Sequence, residues 1–193
     1  MERRSFLHGA VALPVLASIG ASPNLSPEPL YQSPFNAGDP YHFTPSLEKA
    51  RQLPGTLVNF IVSKEQTDGA YSVIEGKARR GAEPGLHVHE YEDEAFYILD
   101  GEMIVTIGSD DYHVKPGDYI FLPRKIPHTS RFLTDTVHIL IFISPAGLEE
   151  YFWAITAPAT NFDVPELTTE PPSPEVIKAM MAANAKYGIT SIR

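Results

Sequence analysis

The sequence predicts an all-β domain, a sandwich or small barrel, flanked by irregular and helical segments. Three observations carry this. Between residues 57 and 144 the apolar residues fall in short or alternating runs. Turn-forming residues interrupt those runs every few positions. Proline-rich stretches, 22–54 and 158–174, lie on either side of the block. About nine short strands at this spacing describe a two-sheet or closed β architecture.

Along the block, 57–63 (LVNFIVS) reads as a strand, TDG (67–69) as a turn and 70–78 (AYSVIEGKA) as a second strand. HVH (87–89) ends the next. EAFYIL (94–99) is a strand, and Asp100-Gly101 reads as a tight hairpin turn into EMIVTIG (102–108). YHV (112–114), YIFLP (119–123), HTSRF (128–132) and TVHILIFIS (136–144) complete the set, separated by SDD, KPGD and RKIP. No internal repeat is visible, so one barrel unit is expected.

The flanks differ. Residues 22–54 hold prolines at 23, 27, 29, 34, 40, 45 and 54. Proline removes a backbone donor and fixes φ, so this stretch is expected as an extended arm and not as helix or central strand. After the block, 147–155 reads as a short helix with Leu148, Phe152 and Ile155 on one face. Ser173, Pro174 and Gly188 mark a second helix by its N-cap, first-turn proline and stop. Both helices are expected on the outside of the barrel, as scaffold. The expected organisation is a signal at 1–21, an arm at 22–54, a barrel at 55–146 and a helical extension at 147–193.

Residues 1–21 pair Arg3 and Arg4 with an apolar run from Gly9 to Ala21. That run is too short to cross a bilayer, which takes about 20 residues. Pro14 and the lack of polar alternation weigh against a buried amphipathic helix. Arg3-Arg4-Ser5-Phe6-Leu7 resembles a twin-arginine signal, implying export to the periplasm or exterior and no stable membrane anchor.

Composition narrows the chemistry. The chain has 193 residues, a formal net charge of −9 and no cysteine. The charge argues against a nucleic-acid partner. Without cysteine there is no disulfide, thiolate zinc site or catalytic thiol, so a metal here needs histidine and carboxylate ligands.

The stretch GLHVHEYEDE (85–94) then stands out. Residues two apart share a strand face, so His87 and His89 point the same way. Glu94 lies at an odd interval from His89 and needs a turn to reach them. His128 opens a later strand behind a proline-framed loop. Three imidazoles and a carboxylate would hold one ion and leave coordination positions open. The competing reading is a polar surface loop, and a solvated acidic turn is the simpler expectation for Glu90, Glu92 and Asp93. His113 and His138 are expected as ordinary surface or core residues, and His8 and His42 as parts of the signal and the arm.

These residues resemble the two motifs of the cupin superfamily. Gly81, five residues, His87-Val88-His89, four residues, Glu94, six residues and Gly101 reproduce every fixed position of the first. Gly117, Pro123 and His128 follow the second. Two positions depart from it: Lys125 replaces a glycine and Phe132 an asparagine. The departures leave the ligands intact but touch loop shape and substrate wall. The resemblance, strong over about residues 55–145, implies a jelly-roll β-barrel with His87, His89, Glu94 and His128 as ligands. The ion would be a divalent transition metal: Fe, Mn, Ni, Co, Cu or Zn.

Within the superfamily, HEYEDEAFYILDGEMIVTIG, PGDYIFLPRKIPHTSRF and the ending SPAGLEEYFWAI are similar to the quercetin (flavonol) dioxygenase group. That implies a small enediol or flavonol-like substrate, O2 as co-substrate and Glu94 as both ligand and catalytic base. Phe60, Phe96, Phe132 and Phe142 are candidate pocket walls. A sugar isomerase or epimerase, with Lys77 and Arg79 as cationic residues, is the alternative enzyme. A non-catalytic small-molecule-binding cupin is the alternative outside enzymes. A homodimer is a family-level expectation.

Overall fold

The computed structural model describes residues 38–168 and 173–192. The signal expected at 1–21, and the arm up to residue 37, lie outside the described residues. In chain order the elements are β1 (Ala50–Leu53), β2 (Thr56–Val62), α1 (Lys64–Thr67), β3 (Ser72–Arg79), β4 (His87–His89) and β5 (Asp93–Asp100). Next come β6 (Met103–Ile107), β7 (Asp110–Val114), β8 (Tyr119–Leu122), β9 (His128–Phe132) and β10 (Thr136–Ser144). The last are α2 (Glu149–Ile155), β11 (Ala157–Pro158), α3 (Pro174–Lys186) and β12 (Ile189–Ser191).

The strands form two antiparallel sheets. One has seven strands in the order β11-β1-β2-β3-β10-β5-β8; the other has five in the order β12-β4-β9-β6-β7. This is the two-sheet β fold expected, with short C-terminal helices. Strand alternation sets the facing: in β8, Ile120 and Leu122 are buried while Tyr119 and Phe121 are exposed. Inward residues of both sheets make one core cluster, including Ile98, Met103, Val105, Leu122, Phe132 and Val137. A second cluster adds Leu148 and Tyr187 from the C-terminal segment to Val58, Ile74, Ile143 and Ile189.

Four local expectations are revised. Asp100-Gly101 is not a hairpin: β5 pairs with β10 and β8, whereas β6 pairs with β7 and β9. The turn instead carries the chain from one sheet to the other. Gly101 is required there: its φ is +79°, and a Cβ would sit 2.3 Å from the Thr136 carbonyl oxygen. The arm is not wholly irregular either. Residues 50–53 pair with β2 on one side and β11 on the other, and Pro54 falls in the turn between β1 and β2, where no ladder donor is needed.

A short helix also follows β2. Gln66 Oε1 accepts from the Ser63 backbone N–H at 2.7 Å, a capping box that was present in the sequence. Finally, the chain returns to the sheet at its far end. Ser173 caps α3 by accepting from Val176 N–H, and Gly188 turns it at φ +66°. Residues 189–191 then form β12, which pairs with β4 in the register Ile189↔His89 and Ser191↔His87. The C-terminal segment is therefore part of the sheet that bears three of the candidate ligands, His87, His89 and His128.

Candidate metal centre

His87 and His89 project from β4 on one face, their ring centroids 5.0 Å apart. His128 begins β9 and lies opposite His87 in the β4–β9 pair. Its ring centroid is 4.5 Å from that of His87 and 5.3 Å from that of His89. Glu94 arrives from the other sheet, on β5. The ligand-capable atoms of these four residues lie within 4.8 Å of one another, and no other such group occurs among the described residues. Glu94 Oε2 is 3.6 Å from His89 Nε2 and 3.3 Å from His128 Nε2.

Backbone carbonyls orient two of the rings. His87 Nδ1–H donates to Gly85 O at 2.8 Å, and His128 Nδ1–H donates to Ile126 O at 3.1 Å. A carbonyl only accepts, so these contacts place the proton on Nδ1 and leave Nε2 with a free lone pair. His128 Nε2 is buried and has no hydrogen-bond partner. A polar atom left so inside a protein is costly unless something else satisfies it.

Protonation fits the same picture. Burial, and then the neighbouring His128, press the His87 pKa down; the Gly85 carbonyl and Glu94 oppose them. His89 is pushed down to about 4, chiefly by burial. Burial alone would raise Glu94, but His128, His89 and His87 together hold it below the ordinary carboxylate range. A histidine lowers Glu94 in this way only while it carries a proton; a divalent cation takes the carboxylate and neutral imidazoles, so its binding displaces that proton. The His87/His89/Glu94/His128 cluster is thus compatible with one metal ion.

The acidic turn 90–93 is not uniformly solvated, contrary to expectation. Glu90 is exposed and pairs with Lys125 at 3.0 Å. Asp93 accepts from the Arg124 side chain and backbone, at 2.7 and 2.8 Å. Glu92 is buried, its Oε2 unpartnered, and burial raises its pKa to about 7. Lys125, standing where the motif has glycine, keeps the glycine-like backbone at φ +66°. Its N–H donates to His89 O at 2.8 Å, so the loop shape survives the substitution and ties the second motif to the first.

The four residues open into a cavity of about 520 Å³. Phe96 and Phe132 line it, but Phe60 and Phe142 do not; Phe60 instead packs edge-on against Trp153. The cavity also takes Tyr151, Phe152 and Ile155 from α2, Met180 and Asn184 from α3, and Ile189 from β12. Sequence reasoning treated this segment as scaffold; only Gly188, read as a helix stop, hinted that the chain turns back. Among the described residues, no lysine or arginine lines the cavity. Lys77 lies 3.9 Å from Glu75, and Arg79 is bonded to Val164, Pro165 and Glu166. His113 and His138 stand apart from the site, each paired with a glutamate, Glu102 and Glu75.

Residues 75–144 match the family model described as a cupin domain. Residues 75–144 thus carry a cupin domain, and all four clustered residues lie within that segment. It is also distantly related to quercetin 2,3-dioxygenase of Bacillus subtilis, with 28% identity over 112 residues. That match covers 58% of this chain and 33% of the relative, so the chain spans about a third of that protein's length. A shorter match, 37% over 57 residues, is to an uncharacterized protein of Methanocaldococcus jannaschii, covering 30% of this chain and 46% of that one. Among solved structures, KdgF from Halomonas sp. shares the fold, at a TM-score of 0.50 and 21% identity over 57% of this chain and 99% of that one.

Proposed function

We propose that this protein is a metal-dependent dioxygenase of the quercetin dioxygenase type, cleaving a small enediol or flavonol-like substrate with O2. The observation that carries this is the His87/His89/Glu94/His128 cluster at the wall of an apolar, partly aromatic cavity to which, among the described residues, no cationic side chain contributes. A flat, uncharged ring system suits such a cavity; a phosphosugar would leave its phosphate without a partner. The distant relationship to a quercetin dioxygenase supports the same reading.

A bound divalent transition ion would supply Lewis acidity and, where redox-capable, electrons for activating O2. The chain's own contribution is to hold the substrate dry and to move one proton. Glu94, held below the ordinary carboxylate range by the histidines beside it, is placed to take the proton of an enol hydroxyl at the cluster, leaving the electron-rich enolate that O2 attacks. The backbone bonds of His87 and His128 keep both rings in one tautomer throughout.

Export through the Arg3-Arg4 segment and homodimer formation belong to the same proposal. Support for a dimer comes from Tyr97, Leu99, Tyr119 and Phe121, all exposed on neighbouring strands β5 and β8 at the end of the larger sheet.

The test measures metal in protein purified without added metal, and oxygen uptake with a panel of flavonols and other enediols. The expected result is about one redox-capable ion per chain and substrate-dependent oxygen uptake. Bound metal with no uptake across the panel would refute the dioxygenase reading. Glu94→Gln that retains metal should lose turnover; undiminished turnover would refute the role as base.

A further inference from the structure

We infer that Asn184, on the C-terminal helix α3, is a specificity-determining residue that hydrogen-bonds a peripheral hydroxyl of the substrate. The inference deepens the proposed function and takes its ring-type substrate from it. It rests on which buried polar atoms the cavity leaves unpartnered. Among the described residues, three residues with such atoms line the cavity: His89, His128 and Asn184. The first two belong to the metal cluster. Asn184 Oδ1 does not, and α3 lies outside the segment matching the cupin domain.

Two other polar side chains of the cavity wall illustrate the contrast. The Glu83 carboxyl group already has partners, accepting from Gly81 N–H at 2.7 Å and Phe132 N–H at 2.8 Å. Thr129 donates its hydroxyl to Pro84 O at 2.9 Å. Asn184 is also held firmly in place. Ala183 beside it packs into the second core cluster, and Tyr187 N–H donates to Ala183 O at 3.0 Å. The buried Tyr187 hydroxyl lies 3.5 Å from Glu150 on α2. The helix turn bearing Asn184 is thus fixed against α2, whose Tyr151, Phe152 and Ile155 face the same cavity.

An acceptor held in a rigid wall and lacking a partner discriminates strongly. A ligand that donates to it recovers the bond, and one that cannot leaves the atom desolvated. With no cationic side chain among the described residues of the cavity wall, the matching group is a neutral donor, a phenolic or enolic hydroxyl, and not a carboxylate or phosphate.

The experiment measures dissociation constants of the full chain for quercetin, which bears outer ring hydroxyls, and for unsubstituted flavonol, which lacks them. Wild type should prefer quercetin, and Asn184→Ala should reduce the ratio of the two constants by roughly tenfold. Met180→Ala, which trims an apolar part of the same helix, should weaken both ligands alike and keep the ratio. An unchanged ratio in Asn184→Ala overturns the inference, as does a wild type that shows no preference or binds neither flavonol. Metal content, measured in parallel, tests the proposed function separately: a metal-free wild type that still shows the Asn184-dependent ratio would sink the metalloenzyme reading and leave this one standing.

Discussion

His87 and His128 face each other directly across the β4–β9 pair, their ring centroids 4.5 Å apart and their planes at 68°. Each ring is turned by a carbonyl two residues before it, Gly85 or Ile126. Two histidines distant in sequence thus meet through one strand pairing, and each loop presets its own ring. Replacing either with alanine should lower metal content by at least about tenfold, since even supporting residues of metal sites are worth 10–100-fold. Metal analysis of the purified variants checks this; full retention in His128→Ala would remove that residue from the ligand set.

Glu92 should make the metal-free protein less stable as pH rises. Its folded pKa, about 7, stands above the ordinary 4.5 because burial penalises the charged carboxylate. Between about 4.5 and 7 the folded chain therefore binds more protons than the unfolded chain, and stability falls with pH. His89 acts in the opposite sense: its pKa is depressed to about 4, so its contribution is complete above the unfolded value and is lost as pH falls. Comparing wild type with Glu92→Gln cancels the histidine. The variant's relative stability should grow through that window by up to about 2–3 kcal/mol and level off above it. Urea unfolding in chelator across the pH range reads the difference; a flat difference would mean that Glu92 is not held neutral.

Lys125 carries a positive φ that L side chains adopt at a cost of about 1–2 kcal/mol. Its ion pair with Glu90 is exposed on both sides and returns little. Lys125→Gly should raise stability by up to about 1 kcal/mol after glycine's extra unfolded-state entropy is counted. The midpoint of chemical denaturation should shift upward with an unchanged slope.

Gly188→Ala should loosen the C-terminal wall. A Cβ there would lie 2.4 Å from the Tyr91 ring, at a residue whose φ is already +66°. Gly188 O also accepts from Glu90 N–H at 3.0 Å, so the strain falls on the junction between β12 and the ligand turn. A loss of about 2–4 kcal/mol is expected. Hydrogen exchange should show β12 amides opening before the rest of the smaller sheet.

Export is tested independently of the barrel. A reporter fused behind residues 1–30 should reach the periplasm of a twin-arginine-competent host and should fail to do so with Arg3→Lys and Arg4→Lys together. Undiminished export of the double variant would exclude this route.

Much of the fold, and the spacing that gathers the candidate metal cluster, was legible in the chain because both are written in local periodicities. Short apolar runs such as 119–122 and 139–143, bounded by turn residues, announce strands, although the face that each buries is settled only by the fold. His87-Val88-His89 declares a shared face because strand residues two apart point the same way, and the spacings to Glu94, Gly101, Gly117 and Pro123 carried the cupin resemblance. What sequence alone could not decide was what depends on partners distant in the chain. Asp100-Gly101 has the chemistry of a hairpin, yet only the pairing of β5 with β10 and β6 with β9 reveals a crossing between sheets. Glu92 looks like one more solvated acid until the surrounding fold withdraws it from water. Ile189–Ser191 is too short to announce itself as a strand, and it becomes one because β4 offers an edge that would otherwise leave backbone donors and acceptors unpaired. That late pairing draws α3 and Asn184 to the cavity. The candidate metal cluster was thus foreshadowed by residue spacing, while the shape and polarity of the space around it were decided by tertiary burial, the one term that no local window contains.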